Sequence, residues 1–114
     1  MYCYNLEAIK IPNSVTSIGH NAFNNCSSLT SITIPNSVTN IENNTFAYCS
    51  GLTSITIPNS VTYIGIWAFI ACKSLTSITF EGTMEEWNSI SKGFEWHSNV
   101  PATYVQCTDG QAPL

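Results

Sequence analysis

The chain has 114 residues, 9% of them charged, and a net charge of −4 with three basic residues in all. That length holds one domain with a modest core, and so few Lys and Arg argue against nucleic acid, whose phosphates must be neutralised, and against anionic membrane surfaces. No apolar run approaches the roughly 20 residues that span a bilayer, so no membrane insertion is expected in this segment, and no basic-then-apolar leader follows Met1.

The N-terminal residues start in the middle of a repeat. Met1 to Leu6 aligns with Ala47 to Leu52, and no capping element precedes it. Solenoid ends normally need a polar cap to stay soluble, so the chain reads as the C-terminal portion of a longer protein or as a truncated one. End-to-end self-association is expected through the bare first rung around Leu6 and Ile9. From there the repeat runs on. Ile11-Pro12-Asn13-Ser14-Val15-Thr16 returns at Ile34 to Thr39 and at Ile57 to Thr62, 23 positions on each time. Leu6, Leu29, Leu52 and Leu75 keep that spacing, as do Ile9, Ile32, Ile55 and Ile78, then Phe23, Phe46 and Phe69, then Cys3, Cys26, Cys49 and Cys72. A fixed period in this range marks a stacked solenoid, in which no single unit can close its own core.

Within one repeat, Leu29, Ile32 and Ile34 form an L-x-x-L-x-L pattern. Ile32 and Ile34 alternate with Ser31 and Thr33, which predicts a half-buried strand. Pro35 ends it, because proline cannot donate to a ladder. Val38 and Ile41 bring a second arm back to the core. Phe46 and Cys49, three apart, fit one helical or 3₁₀ turn facing inward. Gly19 and Gly65 follow the second arm, but Glu42 holds the same place in the middle repeat, so no positive φ is expected there.

These residues resemble the leucine-rich repeat, and more narrowly its BspA-like bacterial subfamily, over about Cys3 to Phe80. Ala22-Phe23 and Ala68-Phe69 keep that subfamily's A-F pair, and Thr45-Phe46 departs from it. The resemblance implies a right-handed leucine-rich-repeat solenoid with a parallel β-sheet on its concave face and short β or 3₁₀ returns on its convex face. It also implies bacterial cell-surface or secreted proteins that bind host or microbial proteins or glycans.

From Glu81 the period breaks, and residues 1–80 are expected as repeats with 81–114 as a C-terminal capping module. Thr83-Met84-Glu85-Glu86 reads as a capping box with acidic residues in the first turn. Met84, Trp87 and Ile90 follow at helical spacing, and Lys92-Gly93 reads as the helix end. Thr103 to Cys107 alternates like a strand, with Val105 and Cys107 on one side. A final strand added to the sheet is expected, with the helix crossing the last open edge. The run from Gly82-Thr83 through Trp87 to Cys107-Thr108-Asp109-Gly110 also looks like the terminal module that follows BspA-like repeats.

Chemistry-bearing groups are sparse. Stacked cysteines point the same way, which keeps their Cβ atoms too far apart for a disulfide, so buried free thiols acting as small hydrophobes are expected. No C-x-x-C pair exists and no histidine has ligand spacing to a cysteine, so no metal and no cofactor is expected. Cys107 alone stands outside the ladder. His20 and His97 lie in unrelated contexts, and Glu85 and Glu86 serve helix capping. There is no G-x-S-x-G, P-loop or dinucleotide fingerprint, so no enzyme is expected. Asn25-Cys26-Ser27 and Asn43-Asn44-Thr45 are formal glycosylation sequons in a chain rich in Asn.

Two candidate binding surfaces remain. On the sheet, Ser31, Thr33, Ser54, Thr56, Ser77 and Thr79 point outward in rows, with Thr30, Thr53 and Thr76 at the strand starts. Such rows supply uncharged hydrogen bonding, although Thr is also simply a good exposed strand residue. Separately, Tyr63, Ile66, Trp67 and Ile70 form an apolar stripe where the preceding repeat has Asn40, Asn43, Asn44 and Ala47. We expect the terminal module to cover it; the alternative is an exposed partner site. A non-enzymatic binding or adhesion module is the first functional expectation. The alternatives are an accessory domain of a larger surface enzyme, or binding of ice or a polysaccharide lattice by the hydroxyl rows.

Overall fold

Each repeat in the computed structural model, which describes residues 7–114, is one turn of a solenoid built from two short strands and a run of tight turns. Cys3 and Leu6, predicted at the head of their columns, lie outside the described residues. Ala-Ile-Lys forms β1 (Ala8–Lys10), and the Ser-Ile-Thr stretches form β3 (Ser31–Thr33), β5 (Ser54–Ile57) and β7 (Ser77–Phe80). These pair in parallel and in phase, Ile9 with Ile32 and Ile55 with Ile78, so alternation turns every isoleucine inward and every hydroxyl outward. The Pro-Asn-Ser-Val turn closes by donation from the Val38 and Val61 amides to the Pro35 and Pro58 carbonyls, 3.1 and 3.2 Å. The second arm then forms β2 (Ser17–Ile18), β4 (Asn40–Ile41), β6 (Tyr63–Ile64) and β8 (Ser91–Lys92), a second parallel sheet.

The return arm is a chain of tight turns rather than a helix, and its backbone bonds alternate. The Ala22, Asn24 and Cys26 amides donate to carbonyls three residues back. Between them, the Asn21, Phe23 and Asn25 amides donate to the next rung, at Asn43, Thr45 and Ala47. Every amide from Asn21 to Cys26 therefore has an acceptor, in a segment with no regular structure. The geometry requires a left-handed residue at two places per turn. Asn21, Asn44, Trp67 and Glu95 fill one column at φ 48° to 60°, and Asn25, Tyr48, Ala71 and Asn99 the other at 58° to 65°. Gly19 and Gly65 are not among the positive-φ residues, as expected.

The core is a set of columns. Leu29, Leu52 and Leu75 are wholly buried. Phe23 stacks on Phe46 at 5.5 Å and Phe46 on Phe69 at 5.2 Å, with rings within 10° of parallel. Thr45, the departure from Ala, is also wholly buried, and its hydroxyl donates to the Glu42 carbonyl at 2.8 Å.

The terminal segment is a fourth, longer turn. Helix α1 (Met84–Ser89) lies between β7 and β8. The capping box is present, but the helix ends at Ile90. The expected Lys92-Gly93 terminus is corrected: both residues belong to the next strand region, and Gly93 is glycine because a Cβ there would run into the Ile66 backbone. The chain then stacks on the preceding turn, with the Trp67, Phe69 and Ala71 amides donating to Phe94, Trp96 and Ser98. Strand β9 (Tyr104–Cys107) joins the sheet in parallel, Val105 opposite Ile78 where the period alone would put Pro101. The helix does not cross the open edge. An antiparallel strand, β10 (Gly110–Pro113), takes that place, giving the order β1-β3-β5-β7-β9-β10. The helix instead plugs the end of the core, where Trp87 packs against Phe80 at 5.3 Å and Trp96 at 5.6 Å.

Candidate functional site

The outer face of the six-stranded sheet carries two rows set by strand register. One runs Ala8, Ser31, Ser54, Ser77 and Tyr104; the other runs Lys10, Thr33, Thr56, Thr79 and Gln106. Ser31, Thr33, Ser54, Thr56 and Ser77 are exposed, and Thr79 is half-buried. Their neighbours at the strand starts behave differently. The Thr30, Thr53 and Thr76 hydroxyls donate to the carbonyls of Glu7, Thr30 and Thr53 at 3.0 to 3.5 Å, one rung back. Ser37 and Ser60 do the same toward Val15 and Val38 at 2.6 and 2.7 Å. Thr30, Thr53 and Thr76 are themselves exposed, so what separates the two sets is the bond to the neighbouring rung and not burial.

Tyr104 and Gln106 end the two rows with bulk. With Thr76, Ser77, Ile78 and Thr79 they line a cleft of about 230 Å³. Sequence reasoning missed both residues. The alternation in Tyr104-Val105-Gln106-Cys107 was visible, but which of them faces Thr79 depends on the length of the fourth turn.

The second surface remains open. Ile66 and Trp67 are 37% and 40% exposed, while Tyr63 and Ile70 are half-buried. The terminal segment does not cover the stripe; it stacks edge to edge with it and adds Phe94, 68% exposed, beside Ile66. Backbone stacking explains this: a segment hydrogen-bonded rung to rung extends the surface rather than folding over it. The Tyr63 hydroxyl donates to Asn43 Oδ1 at 3.3 Å, and the Ile66 amide donates to the same oxygen at 2.9 Å. Asn43, the acceptor residue of one formal sequon, is therefore occupied in joining rungs.

The titratable groups do structural work. The Cys49 and Cys72 thiols donate to the Phe23 and Phe46 carbonyls, both at 3.1 Å. The hydrogen bond with Cys72, then burial, pushes the Cys49 thiol far up, which removes its nucleophilic form. Burial and the nearby Asp109 also raise Cys107. Burial lowers His97, whose ring lies 4.6 Å from that of Trp96. His20 Nε2 lies 3.8 Å from Glu42 on an exposed edge. Among the described residues no group of three His, Cys, Asp or Glu side chains could hold a metal ion, and no helix is long and apolar enough to cross a membrane.

The model of the BspA type leucine rich repeat region (6 copies) matches residues 1–95. The chain belongs to the BspA-type leucine-rich-repeat family. No curated protein and no solved structure matches it. BspA-type repeats build binding or adhesion scaffolds, typically in bacterial surface or secreted proteins and typically without catalytic activity. The stacked parallel sheets described above, about four turns of them, are the solenoid of that family.

Proposed function

We propose that this protein is a non-enzymatic binding module of a bacterial cell-surface or secreted protein, and that it engages a host or microbial protein or glycan through the outer face of its six-stranded sheet. One observation carries this reading. The Thr30, Thr53 and Thr76 hydroxyls donate to the neighbouring rung, whereas those of Ser31, Thr33, Ser54, Thr56 and Ser77 stand exposed in the strands without such a bond. A repeat face supplies such adaptable donors and acceptors over a continuous area. The lattice reading has less support, because the hydroxyl rows span only β3, β5 and β7 and end at Tyr104 and Gln106 on β9. An accessory role beside a catalytic domain would use the same face. The stripe of Tyr63, Ile66, Trp67 and Ile70, extended by Phe94, is a second candidate surface, favoured by the exposure of its two largest apolar groups. End-to-end association is the third. Ile9, Val15 and Ala22 are half-buried where their counterparts one rung on are buried, around a hollow of about 280 Å³.

The test is binding to an immobilised panel of host matrix proteins and glycans. The double variant Thr33→Glu with Thr56→Lys keeps net charge and alternates in sign with Lys10 along the row, so no like charges stand one strand apart. We expect at least tenfold weaker binding, about 1.4 kcal/mol, from this variant and unchanged binding from Trp67→Ser. The reverse pattern moves the site to the apolar stripe, and loss from neither excludes both surfaces.

A further inference from the structure

The cleft between β7 and β9 differs from the rest of the sheet face. In β3, β5 and β7 the two outward rows hold only Ser and Thr, which are too small to wall anything off. At β9 both rows change to large side chains, Tyr104 opposite Ser77 and Gln106 opposite Thr79. Thr79 is half-buried where Thr33 and Thr56 are exposed, so the wall is real at the level of the neighbouring side chain. Tyr104 itself stays 42% exposed.

The lining selects a ligand by its chemistry. Thr76, Ser77, Ile78, Thr79, Tyr104 and Gln106 include no charged group, so phosphate, carboxylate and ammonium ligands would find no counter-charge. About 230 Å³ lies below the roughly 300–1,000 Å³ of sites for larger molecules, which suits one small ring. Ser77, Thr79 and Tyr104 carry hydroxyls that both donate and accept. A tyrosine ring offers apolar contact and a polar tip together. Gln106 is already fixed: its Nε2 donates to the Cys107 and Gly110 carbonyls at 2.9 and 3.4 Å, and its Oε1 accepts from Gln111 Nε2 at 3.4 Å. Binding there orders no loose amide, which lowers the entropic cost.

We infer that this cleft is a subsite for one uncharged pyranose ring of a glycan. A pyranose has the same mixture, an apolar C–H face and a rim of hydroxyls, in a compact neutral ring. This inference rests on the reading of the sheet face as the binding surface, and it names one class of ligand and one position on that face.

The experiment is a titration of the ¹⁵N-labelled protein, followed by amide shifts, with glucose, galactose, mannose and N-acetylglucosamine. Glucuronic acid and inorganic phosphate serve as charged controls. Concentrations reach about 100 mM, above the millimolar dissociation constants expected of a single small ring. We expect saturable shifts at Ser77, Thr79, Tyr104 and Gln106 with at least one neutral sugar and none with the controls. Tyr104→Ala should weaken binding at least tenfold and Tyr104→Phe less, because the phenyl face is kept; an unchanged spectrum elsewhere verifies that each variant is folded. Absence of saturable shifts with every neutral sugar overturns the subsite, as do shifts mapped elsewhere or shifts that survive Tyr104→Ala. A protein that binds no sugar here but loses a panel partner through Thr33→Glu with Thr56→Lys loses the subsite alone. Sugar shifts at the cleft, with panel binding indifferent to that double variant, keep the subsite and overturn the wider face.

Discussion

Glu95 sits at φ 48° in a column otherwise held by Asn21, Asn44 and Trp67. A left-handed backbone costs an ordinary L-residue roughly 1–2 kcal/mol, and Asn tolerates it best after glycine. Four of the chain's twelve asparagines therefore answer a backbone need, since Asn21, Asn25, Asn44 and Asn99 occupy the two left-handed columns. Glu95 is exposed, and its carboxylate makes one surface hydrogen bond, from the Ser98 hydroxyl at 3.3 Å. Replacing Glu95→Asn should relieve the strain at little other cost. We expect a gain of about 0.5–1 kcal/mol in urea unfolding; a loss of stability would show that the surrounding turn, and not the side chain, sets that φ.

Helix α1 has six residues, too few to persist alone. Both of its ends are held by side chains. Thr83 and Glu86 form the reciprocal box, and Asp109 Oδ1 accepts from the Met84 amide at 2.8 Å. At the other end Lys92 Nζ donates to the Trp87 and Ile90 carbonyls at 2.8 and 3.2 Å and lies 4.5 Å from the centre of the Trp87 ring. Lys92 thus reaches back from the next strand to the carbonyls at the helix C-terminus, where the Trp87 carbonyl also accepts from the Ile90 amide at 3.1 Å. Lys92→Met keeps the stem and removes the donor. The expected loss is about 1–2 kcal/mol, with tryptophan emission shifting to the red as water reaches Trp87. Unchanged emission and stability would mean that packing of Trp87 and Ile90 holds the helix without help.

At the scale of the molecule, stability is a sum over neighbouring rungs. Like charges repeated at one strand spacing would repel by about 1 kcal/mol per pair even in bulk water, which accounts for a chain only 9% charged. Uncharged Ser, Thr and Asn stack without that cost and hand hydrogen bonds from one rung to the next. The two ends are unequal: β10 and α1 close one, while β1 is the edge strand at the other among the described residues. Leu52→Ala, in a wholly buried central column, should cost about 2–5 kcal/mol. Ile9→Ala, at the half-buried first strand, should cost less than half as much in the same urea titration. Equal losses would mean that the first rung is as well covered as the middle.

The repeat, its inward columns and its hydroxyl rows were legible in the sequence, because a strict period forces equivalent residues into equivalent places. Val105 and Cys107 were likewise readable as inward residues, since alternation is local. The end of the helix, the Tyr104 and Gln106 wall, the β10 edge and the open stripe with Phe94 were decided by tertiary structure. Once α1 lengthens the fourth turn, the period no longer says which residue stands beside which. Register between rungs is then set by how the inserted helix seats Trp87 against Phe80 and Trp96, a packing outcome that no local pattern encodes.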